Sequence, residues 1–172
     1  MTSLIVAQNS QNIIGVDGGI PWHLPEDMKW FKEVTEGKAV IMGRATWESL
    51  PDKFRPLPNR YNMVVSRTMV LEGMTKWKAH GCATNIPSAL ELLERCVPDL
   101  DIVFIGGEGI YREAINYVTE IYITHVRNFH INEEEYSRIA RFPIMEIDWG
   151  NWDTVSVNHF PTHTSTHYRR AQ

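Results

Sequence analysis

The chain is poor in cysteine, has no long hydrophobic run and carries no excess of basic charge, and each shortage removes a class of protein. Cys82 and Cys96 are its only cysteines. Neither stands in metal-site or redox-motif spacing, so free thiols in a reducing compartment are expected. The longest apolar runs, such as residues 4–7 and 102–105, fall far short of the roughly 20 residues that cross a bilayer. No basic stretch precedes the first of them, which argues against a secretory signal. The net charge of −4 gives no reason to expect nucleic acid or a membrane surface as partner. No segment repeats another. What remains is a soluble cytoplasmic protein: 172 residues, 43% hydrophobic and 22% charged, suit one domain with a substantial core.

The rest of the chain is organised around residues 15–31, G-V-D-G-G-I-P-W-H-L-P-E-D-M-K-W-F. The first part is a glycine- and proline-rich loop. The second reads as a helix from Pro25 to about residue 35, with Pro25 suited to the first helical position. Leu24, Met28, Phe31 and Val34 form an apolar stripe at helical spacing, and Asp27 shares its edge. A carboxylate beside a buried face is costly unless something binds it. An acidic residue in a first helical turn is also ordinary, because it complements the helix dipole. The stretch alone leaves both readings open.

Continuous apolar runs at 3–8, 39–42 and 101–105 read as strands covered on both faces. Residues 61–66 and 120–126 are strands too, and 75–79 forms a short one. Helices are expected over 45–50, 87–96 and 110–117, with a proline-bound loop over 52–59. Residues 127–141 are polar, and 133–135 could start a short helix or lie in a loop. Residues 154–160 and 163–169 make a hairpin through Pro161. Strands alternating with helices, then a hairpin, give a mixed sheet with helices on both faces.

Two strands run into glycine and then a helix, at Val40-Ile41-Met42-Gly43-Arg44 and Phe104-Ile105-Gly106-Gly107-Glu108-Gly109. Such turns put helix starts beyond strand ends, where phosphates bind, although neither matches G-x-G-x-x-G. Arg44 and Arg67, each just past a strand, suit a 2′-phosphate; Arg60 suits a carboxylate. Taken singly, a glycine turn or a surface arginine is usually only that. His159, His163 and His167 recur every fourth residue, but on strands rather than a helix, so no metal site is expected.

In order and spacing, these features resemble the dihydrofolate reductases over nearly the whole chain. They are Leu4-Ile5-Val6-Ala7, Ile14-Gly15, and Pro21-Trp22-His23-Leu24-Pro25 with Asp27 and Phe31. Then come Val40 to Arg44 with Thr46-Trp47-Glu48-Ser49, Pro56-Leu57-Pro58 with Arg60, Ile105-Gly106-Gly107 with Tyr111, and Ile123-Thr124. The resemblance implies one α/β domain, with a mostly parallel eight-stranded mixed sheet, about four flanking helices and a C-terminal antiparallel hairpin. An adenosine-binding subdomain, about residues 38–110, would be inserted between two parts of a loop subdomain. The resemblance also implies a monomer that uses NADPH to reduce dihydrofolate, with antifolates such as methotrexate as inhibitors.

On that resemblance Asp27 binds the pterin, Thr124 supports it and Trp22 positions a water beside it. Ile5, Val6, Ala7, Met28, Phe31, Leu50, Leu57, Ile105 and Tyr111 line the substrate pocket, and Arg60 holds the glutamate carboxylate. The cofactor falls to Ala7, Ile14, Gly15, Ile20, Gly43, Arg44, Ala45, Thr46, Ser66, Arg67 and Ile105, then Gly106, Gly107, Glu108, Gly109, Ile110 and Tyr111. Gly106-Gly107 carries the family's cis peptide, and residues 15–24 close over the nicotinamide. Two departures stand out. The family often has an arginine after the glycine pair, where this chain has Glu108-Gly109. It also has a Gly-Asp pair that braces the closing loop, where this chain has Asn132-Glu133-Glu134-Glu135 and one of these glutamates becomes the candidate brace. The rival readings are a pyrimidine reductase of riboflavin synthesis, which Asp27 with Arg60 disfavours, and a weakly catalytic homologue acting as a binding protein.

Overall fold

The computed structural model describes residues 1–72 and 78–172. The chain runs β1 (Thr2–Gln8), β2 (Ile13–Val16), α1 (Pro25–Thr35), β3 (Ala39–Gly43), α2 (Arg44–Ser49), β4 (Tyr61–Val65) and α3 (Arg67–Glu72). It continues through β5 (Gly81–Ala83), α4 (Ile86–Cys96), β6 (Ile102–Gly106), α5 (Glu108–Ala114) and β7 (Glu120–Val126). The last strands are β8 (Ile139–Arg141), β9 (Trp152–His159) and β10 (His163–Arg170). Eight strands form one sheet in the order β5-β4-β3-β6-β1-β7-β10-β9, while β2 and β8 make a small second sheet. Strands β5 to β7 in that order are parallel; β10 joins β7 antiparallel and β9 joins β10 antiparallel.

Period-2 alternation sends neighbours to opposite faces. Leu4, Val6, Ile41 and Phe104 pack on one side with Ala89 and Leu93 of α4 and Tyr111 and Ala114 of α5. Ile5, Val40, Met42, Val103 and Ile105 pack on the other with Val34 of α1 and Trp47 of α2, with Trp30 and Phe31 against them. Both faces are covered, which is why these strands read as unbroken apolar runs. Helix α4 starts where Asn85 accepts a hydrogen bond from the Ser88 amide at 2.8 Å, an N-cap that fixes its first turn.

Helix α1 begins at Pro25 as expected and ends before Gly37, whose φ is +74°. Met28 departs from the expected stripe: it is 56% exposed, while Val34 is buried and Phe31 packs on the sheet. The stripe is narrower than the spacing suggested. Helix α5 occupies Glu108–Ala114 rather than 110–117, and residues 133–135 form one turn of 3-10 helix. The described residues hold five α-helices, in line with the expectation of about four; the additional one, α3, lies in a stretch with no strong period. The strand expected at 75–79 falls mainly outside the described residues, and the strand in that region is Gly81–Ala83.

Candidate functional site

All six parallel strands end on one edge of the sheet, and a cleft of about 460 Å³ opens there. It lies outside the ends of β1 and β6, where successive connections leave in opposite directions, the usual place for a ligand in an open α/β sheet. Val6, Ala7, Ile14, Gly15, Ile20, Ala45, Thr46, Ile105, Gly106, Gly107, Glu108 and Tyr111 line it, twelve residues expected from sequence. Asp17, Gly18 and Gly19 of the loop expected to close over the site line it too, and Ser49, Arg138, Ile139 and Ala140, which were not expected, complete it.

Glycine at the strand ends leaves room for close neighbours. A Cβ on Gly43 would come within 3.3 Å of Ile110, and one on Gly106 within 3.2 Å of the Tyr111 ring. Gly106 also has φ +120°, a region closed to side chains. The Gly106-Gly107 peptide is cis, as the resemblance implied. Tyr111 itself is buried, donates from its hydroxyl to the Ile5 carbonyl at 2.7 Å and so ties α5 to β1. Burial pushes its pKa far up, with Asp27 adding to the shift, so it stays a neutral donor.

Asp27 does not cap its helix. Its Oδ1 accepts from Thr124 Oγ1 of β7 at 2.5 Å, and the Ser165 hydroxyl of β10 lies 3.5 Å beyond Thr124. Burial raises the Asp27 pKa; the Thr124 hydrogen bond and the nearby His163 oppose it. His163, fully buried, bonds Thr162 through Nδ1 at 2.9 Å. Ser165 and His163 were missed from sequence because only strand pairing brings β10 beside Thr124. Ile5, Phe31, Leu50, Leu57 and Ile105 gather in one apolar cluster under α1. Trp22 is buried edge-on against Phe129, with ring centroids 5.7 Å apart.

Arg60 lies at the far end of α1. It donates to the Pro58 carbonyl at 2.8 Å and to Thr35 Oγ1 at 3.0 Å, which fixes its guanidinium. Burial draws its pKa down, with Glu36 opposing. Across the cleft, Arg44 bonds Glu48 at 2.8 Å and Thr68 at 2.5 Å, and Ser66 Oγ sits 3.2 Å from the Thr68 hydroxyl. Arg67, Gly109 and Ile110 stand at the starts of α3 and α5. Apolar residues, the Gly106-Gly107 turn and residues at the uncapped starts of α2 and α5 line the cleft, and Arg44 stands beside it as the first residue of α2.

The closing loop is held otherwise than the sequence suggested. Strand β2 pairs antiparallel with β8, with Gly15 opposite Ala140 and Val16 opposite Ile139. Asp17 accepts the Arg138 amide through Oδ1 at 2.7 Å, and its own amide donates to the Arg138 carbonyl at 2.9 Å. The glutamates at 133–135 are not the direct brace. Glu133 pairs with Arg141 instead, and Glu135 takes a hydrogen bond from Asn132 at 3.0 Å. Asp17, inside the G-V-D-G-G run, was the available signal.

Fold and site together define a small α/β protein with a glycine-ended cleft at its strand ends and a sheltered carboxylate nearby. A family model described as Dihydrofolate reductase matches residues 1–171, and the chain belongs to that family. The dihydrofolate reductase of Mycobacterium leprae is 36% identical over 88% of this chain and 88% of its own. That of Bacillus subtilis is 36% identical over 91% of this chain and 82% of its own. A solved structure, dihydrofolate reductase from Enterococcus faecalis complexed with NADP(H) and RAB-propyl, superposes with a TM-score of 0.79 at 27% identity. It covers all of this chain and 97% of that one.

Proposed function

We propose that the protein reduces 7,8-dihydrofolate to tetrahydrofolate with NADPH. The observation that carries this reading is the Asp27–Thr124 pair, a sheltered carboxylate near a glycine-ended cleft in a member of this family. Asp27 accepts hydrogen bonds from the pterin 2-amino group and ring nitrogen and favours positive charge developing on the ring. Thr124 holds the carboxylate in place, and Trp22 shelters that side from bulk water. Ile5, Phe31, Leu50, Leu57 and the exposed Met28 enclose the pterin and aminobenzoyl groups, and Arg60 takes the glutamate carboxylate as a bidentate pair. Bound NADPH would supply the hydride, from nicotinamide C4 to pterin C6, with a proton from solvent added at N5. Ala7, Ile14, Ile20 and Tyr111 align the two rings and exclude water. Gly43 to Thr46, Ser66, Arg67 and Gly106 to Ile110 hold the remainder of the dinucleotide, with Arg44 and Arg67 at the 2′-phosphate.

On the same reading the protein is a cytoplasmic monomer, open to antifolates such as methotrexate, with residues of about 38–110 as the adenosine-binding subdomain. The test is oxidation of NADPH followed at 340 nm with dihydrofolate, with and without methotrexate. We expect dihydrofolate-dependent turnover that methotrexate abolishes and that Asp27→Asn lowers by at least about a hundredfold near neutral pH. No turnover with dihydrofolate, or near-normal turnover in the variant, would overturn the assignment.

A further inference from the structure

The cleft's charged lining consists of two acids and one base: Asp17, Glu108 and Arg138. The two acids are already engaged. Asp17 accepts the Arg138 amide. Glu108 accepts the Arg141 amide through Oε1 at 2.6 Å and faces the Arg112 guanidinium at 3.6 Å. The Arg138 guanidinium, by contrast, is exposed and has no hydrogen bond or ion pair among the described residues. Its backbone is held on both sides by Asp17, at the seam where β8 meets the closing loop. A fixed backbone, a cleft wall and an unpartnered guanidinium together make an anion contact waiting for its anion.

We propose that Arg138 binds the pyrophosphate of the dinucleotide cofactor. The inference rests on the reading of the cleft as the NADPH site. The anion is the pyrophosphate rather than the 2′-phosphate because Arg138 shares the cleft with Gly15, Ile20 and Gly107, whereas Arg44 and Arg67 stand by β3 and α3. The chain has no arginine directly after its glycine pair, and Arg138 delivers the missing charge from the opposite wall. It arrives with the segment that holds the closing loop, so the contact also links cofactor occupancy to that segment.

The test is the binding of NADP⁺, of NAD⁺ and of adenosine 2′-monophosphate, measured by calorimetry on the wild type and on Arg138→Gln, Arg138→Lys and Arg44→Ala. We expect Arg138→Gln to weaken both dinucleotides by the same factor, about tenfold, and to leave adenosine 2′-monophosphate unchanged. Arg138→Lys should recover part of the loss, and added salt should narrow the gap between wild type and Arg138→Gln. Arg44→Ala should weaken NADP⁺ and adenosine 2′-monophosphate while sparing NAD⁺. Unchanged dinucleotide binding in a folded Arg138→Gln protein would overturn the proposal. So would equal losses for dinucleotides and adenosine 2′-monophosphate, which would place Arg138 elsewhere or in a structural role. A wild type that binds no NADP⁺ would sink the underlying reading, and this one with it.

Discussion

Asp27 shows how function and stability oppose each other at a single side chain. Its folded pKa lies above the ordinary carboxylate value because burial outweighs the Thr124 bond and the influence of His163. A raised carboxyl favours folding when protonated; that contribution is complete below the unfolded pKa and is lost as pH rises through the folded one. Asp27→Asn should therefore melt higher than the wild type near pH 7, with the difference vanishing in acid, in calorimetric scans across pH. Equal midpoints at pH 7 would mean that the carboxylate is well solvated. Arg60 makes the complementary case. Held by Pro58 and Thr35, it is positioned before any substrate arrives. Arg60→Ala should raise KM for dihydrofolate about ten- to a hundredfold with little change in kcat, the mark of lost uniform binding. The stretch around Asp27 alone left it between a bound carboxylate and a helix-start acid, and only the family resemblance over the whole chain assigned it to the pterin. Ser165 and His163 gave no such sign, because β10 meets β7 across some forty residues.

At the scale of elements, length decided what could be read. Strands β1, β3, β6 and β7 are runs of five to seven residues, buried over most of their length, and their apolar character announces them. Strands β2 and β8 have four and three residues, partly exposed and with no clean alternation. Their pairing spans more than 120 positions in the chain, so the brace of the closing loop was not legible and was sought among the wrong acids. Helix α3 escaped notice for the same want of period. The brace can be loosened alone. Asp17→Ala removes the acceptor for the Arg138 amide, so hydrogen exchange at that amide should accelerate by an order of magnitude or more. Amides of β3 and β6 should keep their protection. Uniform acceleration would show that Asp17 supports the whole fold and not the loop.

The whole molecule depends on the seam between its parallel and antiparallel parts, where β10 meets β7. Glu120, only 3% exposed, accepts from Tyr122 at 2.9 Å, His167 at 2.7 Å and Arg169 at 2.9 Å. The Tyr122 ring stacks on His167, and Trp30 of α1 meets Tyr122 edge-on. Burial raises the Glu120 pKa, but the bonds from Arg169, Tyr122 and His167 together outweigh it and leave it below the usual value. A lowered carboxyl stabilises above its unfolded pKa, and that support disappears as pH falls through the folded one. Glu120→Gln should cost roughly 2–3 kcal/mol near neutral pH, read from urea midpoints, with a smaller cost in acid. The seam also bears on the order in which the protein is made. While synthesis has reached only β7, that strand has an open side, and Thr124 has no Ser165 beside it. The exposed rim could pair with another nascent chain. Emergence of β10 from the ribosome closes the rim and gives Thr124 its neighbour, so Asp27 gains its full support only when a segment some forty residues further along the chain is in place.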